Sequence, residues 1–90
     1  MLYSYVDYLY KEIGLRKADI ETICHSGNND QAVKMVCSQS YVIEQFKDIN
    51  DSDLIRVANC LADGSIIDDR SNAIEFIIWV VAWDIFDESL

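Results

Sequence analysis

Histidine occurs once in this 90-residue chain, at His25, and its neighbour is Cys24. A thiol beside an imidazole is the smallest nucleophile–base pair that could do covalent chemistry. On a helix, however, adjacent side chains point about 100° apart and do not face each other. The plainer reading is a small apolar thiol followed by a histidine near a helix carboxyl end, where its charged form is favoured. A metal site would need further ligands converging on the pair, and no Cys-x-x-Cys or His-x-x-x-His spacing occurs. The 16 carboxylates invite an acid–base hypothesis, but nothing singles out one pair. The stretch Asp48-Ile49-Asn50-Asp51-Ser52-Asp53 carries acids at alternate positions, as a calcium loop does. Counted from Asp48, position 6 is Asp53 where glycine is needed, and position 12 is Asn59 where a bidentate acid is needed, so the loop fails. Phosphate-cradling glycine loops and basic nucleic-acid patches are absent as well. The expectation is a protein without cofactor, without metal site and without catalytic residues: a binder and not an enzyme.

What must be positioned, then, is a surface, and charge says where. Up to Lys47 the chain has six acids against five bases, net -1; from Asp48 on it has ten against two, net -8. The total of -9 repels nucleic acid and anionic lipid and attracts basic proteins. Hydrophobic residues make up 51%, enough for the core of one domain spanning 1–90, and the absence of proline with only three glycines argues against an all-β chain. Cys24, Cys37 and Cys60 are odd in number and widely spaced, which fits reduced thiols better than a disulfide framework. Met1-Leu-Tyr-Ser-Tyr-Val-Asp7 lacks the basic and apolar regions of a secretion signal, so a cytoplasmic location is expected.

The longest apolar run is Phe76-Ile-Ile-Trp-Val-Val-Ala-Trp83. Glu75 and Asp84 close it after eight residues, far short of the ~20 that a membrane span requires. Two apolar stripes at helical spacing (Ile74, Ile77, Ile78, Val81, Ile85 and, beside it, Phe76, Val80, Trp83) predict a buried helix, with a buried strand over 76–83 and an α+β fold as the alternative. Around it the pattern places helices over 2–13, ended by a left-handed Gly14, and over 16–26, ended by Gly27. A third covers 30–48 with Ala32, Val36, Ile43 and Phe46 inward, Val33, Met35 and Val42 adding to that face, and a weak point at Ser38-Gln39-Ser40. A fourth starts at the cap Asn50, with an Ile49–Leu54 staple and a Leu54, Val57, Ala58, Leu61 stripe, and closes at Gly64. The last starts at Asp68 or Asp69 and runs to about Asp87. The expected fold is therefore all-α: a compact bundle of about five helices with the 69–87 helix central.

If the last two helices are antiparallel, the start of one and the end of the other share a pole that gathers Asp48, Asp51, Asp53, Asp84, Asp87 and Glu88, with Trp83 and Phe86 beside them. Capping explains the first three acids. The last three oppose the helix dipole at roughly 0.3–1 kcal/mol each. Charge placed against stability, next to aromatic anchors, suits a basic partner; the competing account is that these acids keep an apolar helix soluble.

With its 90 residues, its acidic 48–53, 63–69 and 84–88 segments and no catalytic motif, the chain resembles the small acidic cytoplasmic immunity proteins that bacteria pair with nuclease toxins, in colicin and contact-dependent inhibition systems. The resemblance covers the whole chain and no individual residue. It implies tight binding to a basic toxin domain, a nuclease, and obstruction of its substrate cleft. The alternatives are a small acidic adaptor or secretion chaperone acting as a homodimer, which predicts an exposed apolar groove, and a DNA mimic, which needs carboxylates spaced like phosphates along an elongated face.

Overall fold

Five α-helices, and no strand, make up the regular structure of residues 12–62 and 66–88, the parts described by a computed structural model. They are α1 (Lys17–His25), α2 (Asn29–Cys37), α3 (Ser40–Phe46), α4 (Asp51–Ala62) and α5 (Arg70–Glu88). The expected all-α bundle is what forms, and the strand alternative over 76–83 falls because that stretch lies inside the continuous α5. The helix expected over 2–13, up to residue 11, and the closure at Gly64 lie outside the described residues; Ile13, expected to face inward, is buried in the core.

The core is built on α5. Ala73, Ile77, Ile78, Val81 and Ala82 are each at most 1% exposed, and they meet Ile23 of α1, Val36 of α2, Val42 and Phe46 of α3, and Leu54, Val57 and Ala58 of α4 in one cluster. Ile74, placed on the same stripe, is only half-buried against this cluster, and Ile85 is 36% exposed. The neighbour at this level is His25, which meets Phe86 about 100° round the helix from Ile85 and leaves Ile85 to solvent.

The expected long helix over 30–48 is two helices. It breaks at Ser38-Gln39, where the Ser38 hydroxyl donates to the Met35 carbonyl (2.7 Å) and the Gln39 N–H to the Val36 carbonyl (3.2 Å). Side-chain competition of this kind is why serine favours helix ends. The break resets the helical phase. Val42 and Phe46 turn inward, four residues apart, while Ile43 and Met35, both expected on the inward face, are 54% and 60% exposed.

Caps explain the other boundaries. Asn28 accepts from the Gln31 N–H (3.2 Å), Asn50 from the Asp53 N–H (2.8 Å), and Asp69 from the Ser71 and Asn72 N–H groups (3.3 and 3.2 Å). Neither Gly14 nor Gly27 takes a left-handed backbone. The helix α1 ends instead at an extended Ser26, whose hydroxyl accepts from the Asn28 N–H (2.9 Å). The chain around Gly14 is held by Gln45, which accepts from the Gly14 N–H (2.7 Å) and donates to its carbonyl (2.9 Å).

Candidate partner-binding surface

The helix α5 has two chemically different ends, and the acids expected at one pole are divided between them. At its amino end Arg70 donates through Nη1 to the Ile49 carbonyl (2.7 Å) and to Asp51 (2.9 Å), and through Nη2 to the Phe46 carbonyl (2.8 Å). The start of α5 therefore lies beside the start of α4. Ile67, on the stretch that leads into α5, is pinned to α4 by Asn59, which donates to its carbonyl and accepts from its N–H (both 2.8 Å). The antiparallel arrangement expected for these two helices does not form. Asp84 lies 14 residues beyond Arg70, or about 21 Å along the axis, and Asp87 and Glu88 lie farther still. The single acidic pole of Asp48, Asp51, Asp53, Asp84, Asp87 and Glu88 is thus two separate patches. In the first, Asp51 is ion-paired and Asp53 sits in the first turn of α4, where the dipole favours acids.

The second patch lies at the carboxyl end of α5. Trp83 packs edge-on to Phe86 (centroids 5.7 Å, 78°), and Phe86 in turn meets the His25 ring of α1 (5.3 Å, 85°). Asp84, Asp87 and Glu88 are all exposed, and no basic residue occupies the last turn. Three ion pairs occur among the described residues, Lys34–Glu75, Lys47–Glu44 and Arg70–Asp51, and none involves this patch. The Cys24 thiol donates to the Ala82 carbonyl (3.7 Å), and burial, then the charge of Asp87, raises its pKa above the ordinary 9.0. Such a thiol holds its proton, which argues against the nucleophile pair with His25. Trp83 Nε1 is buried with no acceptor among the described residues.

A second feature lies farther up α5. Phe76, Trp79, Trp83 and Phe86 recur at three- and four-residue spacing and so form a ridge along one side of α5. Phe76 and Trp79 are 6.0 Å apart at 40°. Between this pair and α2 opens a groove of about 330 Å³, walled by Val33 and Asn72 and edged by Asp30 and Glu75. Trp79 is 38% exposed there. Lys34 holds Glu75 at 2.9 Å from the α2 side. The alternation of aromatic and acid was legible; that α2 would bring Asp30 opposite it was not.

Other chemistry is sparse. All three cysteines are free. The Cys37 thiol is pushed up to about 12, first by burial and then by Glu75, with Lys34 acting against the shift. Among the described residues no cluster of His, Cys, Asp and Glu could hold a metal ion, and no helix is long and apolar enough to cross a membrane. No family model, curated protein or solved structure matches the chain.

Proposed function

We propose that this chain is an immunity protein of a bacterial toxin system: a cytoplasmic binder, not an enzyme, that neutralises a basic toxin domain, a nuclease, by laying an acidic surface over its active site. The observation that carries this reading is the carboxyl end of α5. Three exposed acids, two of them in the last turn and without a cation among the described residues, sit against the dipole and beside the Trp83–Phe86 pair. Acids so placed weaken the free protein by a few tenths of a kcal/mol or more each, and a cationic partner removes that penalty on binding. A nuclease cleft is such a partner, because it must hold phosphates. The net charge of -9 would steer the two together.

The test uses the basic protein encoded immediately beside this chain. Nuclease activity should fall stoichiometrically as the purified chain is added, and affinity should drop as sodium chloride rises from 50 to about 500 mM. Absence of salt-sensitive binding removes the reading. A doubled mass in light scattering, in place of 10.3 kDa, would favour the homodimeric adaptor.

A further inference from the structure

We infer that the groove between α2 and α5 is a receptor for one arginine side chain of the basic protein partner, stacked on Trp79 and held by Asp30 and Glu75. The inference rests on the binder reading above and names the group recognised. Size comes first. At about 330 Å³ the groove is at the low end for ligand pockets, which fits one long side chain better than a cofactor. Its walls come next. Trp79, 38% exposed, lines it with an indole, the best aromatic ring for a cation, with Phe76 tilted beside it.

Electrostatics fixes the sign of the guest. The amino end of α2 contributes about half a positive charge, but Asp30 stands in that first turn and Glu75 faces it across the groove. Lys34 bonds only Oε1 of Glu75, which anchors the carboxylate and leaves Oε2 to accept. The balance is negative even with Lys34 counted. A planar guanidinium can stack on the indole and give parallel hydrogen bonds to carboxylates at the same time; an ammonium cannot do both. The chain already stacks one guanidinium on an aromatic ring that is itself bonded to a carboxylate. The Arg16 guanidinium lies 4.3 Å from the centre of the Tyr41 ring, and the Tyr41 hydroxyl donates to Asp19. Trp79 beside Glu75 repeats that pairing of ring and carboxylate; Lys34 bonds one oxygen of Glu75, and no cation lies over the Trp79 ring among the described residues.

The experiment reads Trp79 alone, in a Trp83→Phe background, by fluorescence. The probes are two capped peptides of equal length and charge, one with three arginines and one with three lysines. The arginine peptide should perturb Trp79 saturably and bind about tenfold more tightly than the lysine peptide. Asp30→Asn, an exposed change that leaves the core intact, should abolish that preference. Equal binding of both peptides, or a preference that survives Asp30→Asn, would overturn the inference. The neighbouring nuclease separates the two proposals. Inhibition undiminished in Trp79→Ala sinks the groove and leaves the immunity reading standing. Arginine-selective capture without nuclease inhibition does the reverse.

Discussion

The two ends of α5 carry the same kind of residue in opposite energetic states. At the amino end, acids lie where backbone N–H groups want them: Asp69 caps α5, and Asp51, in the first turn of α4, is bonded by Arg70. At the carboxyl end, Asp84, Asp87 and Glu88 lie at or beside the negative end of the helix dipole, with no cation beside them among the described residues. Negative charge by itself therefore says little about a binding surface. What distinguishes the two ends is whether the fold has already supplied the positive counterpart.

That contrast can be broken most severely at Arg70. Replacing it with Met keeps the stem but strips charged donors from the Phe46 and Ile49 carbonyls, and should cost about 2–3 kcal/mol in urea denaturation. The half-buried position of Arg70 is why the effect exceeds that of an ordinary surface pair. Asp51→Asn, which spares both carbonyl bonds, should cost under about 1 kcal/mol. Equal losses would mean that the ion pair, and not the carbonyl clamp, fixes the start of α5.

At the opposite end the sign should reverse. Asp84→Asn, Asp87→Asn and Glu88→Gln together should raise stability by roughly 1–2 kcal/mol at low salt and by much less in 1 M sodium chloride. The same variant should associate with a basic partner severalfold more slowly. A loss of stability would show that these acids have counterparts inside the fold. Asn50→Ala provides a calibrated cap loss at the first end, of about 1 kcal/mol.

The thiols sharpen the comparison further. Cys37 is an acid whose folded pKa, about 12, lies above its unfolded value near 9. Its contribution is intact below pH 9; above it the unfolded thiol ionises and the folded one does not, so stability falls as pH rises from 9 towards 12. The slope should not exceed about 1.4 kcal/mol per pH unit and should flatten in Cys37→Ala. The smallest effect is expected at Cys24. Asp87 is the lesser cause of its raised pKa, so Asp87→Asn should speed its alkylation modestly, with the exposed Cys60 still reacting first.

Much of the fold could be read from residue order. Asn50 followed by Asp51 and Asp53 announced α4, and the hydrophobic periodicity of 73–82 announced a buried helix. The break at Ser38-Gln39-Ser40 was visible as a weak point, but its consequence, that Val42 stays in the core while Ile43 leaves it, was not. A helix pattern gives the phase within one helix and says nothing about how the next restarts. The candidate surface was legible in part for the same reason. Asp84, Asp87, Glu88, Trp83 and Phe86 are local to one helix and stay together. Asp48, Asp51 and Asp53 were joined to them only through an assumed direction of α4 against α5, and Arg70 reverses that assumption. Arg70 gave no local sign of its role, since its three acceptors lie 19 to 24 residues away.

The sequence by itself determined the all-helical class, the central helix, the amino-terminal caps at Asn28, Asn50 and Asp69 and the concentration of acid in the second half, because each depends on near neighbours and on composition. Tertiary structure alone decided which acids meet a cation, and it alone set Asp30 across from Trp79. Both outcomes depend on helix direction, which is fixed by long-range packing against α5 and leaves no periodic trace in the chain.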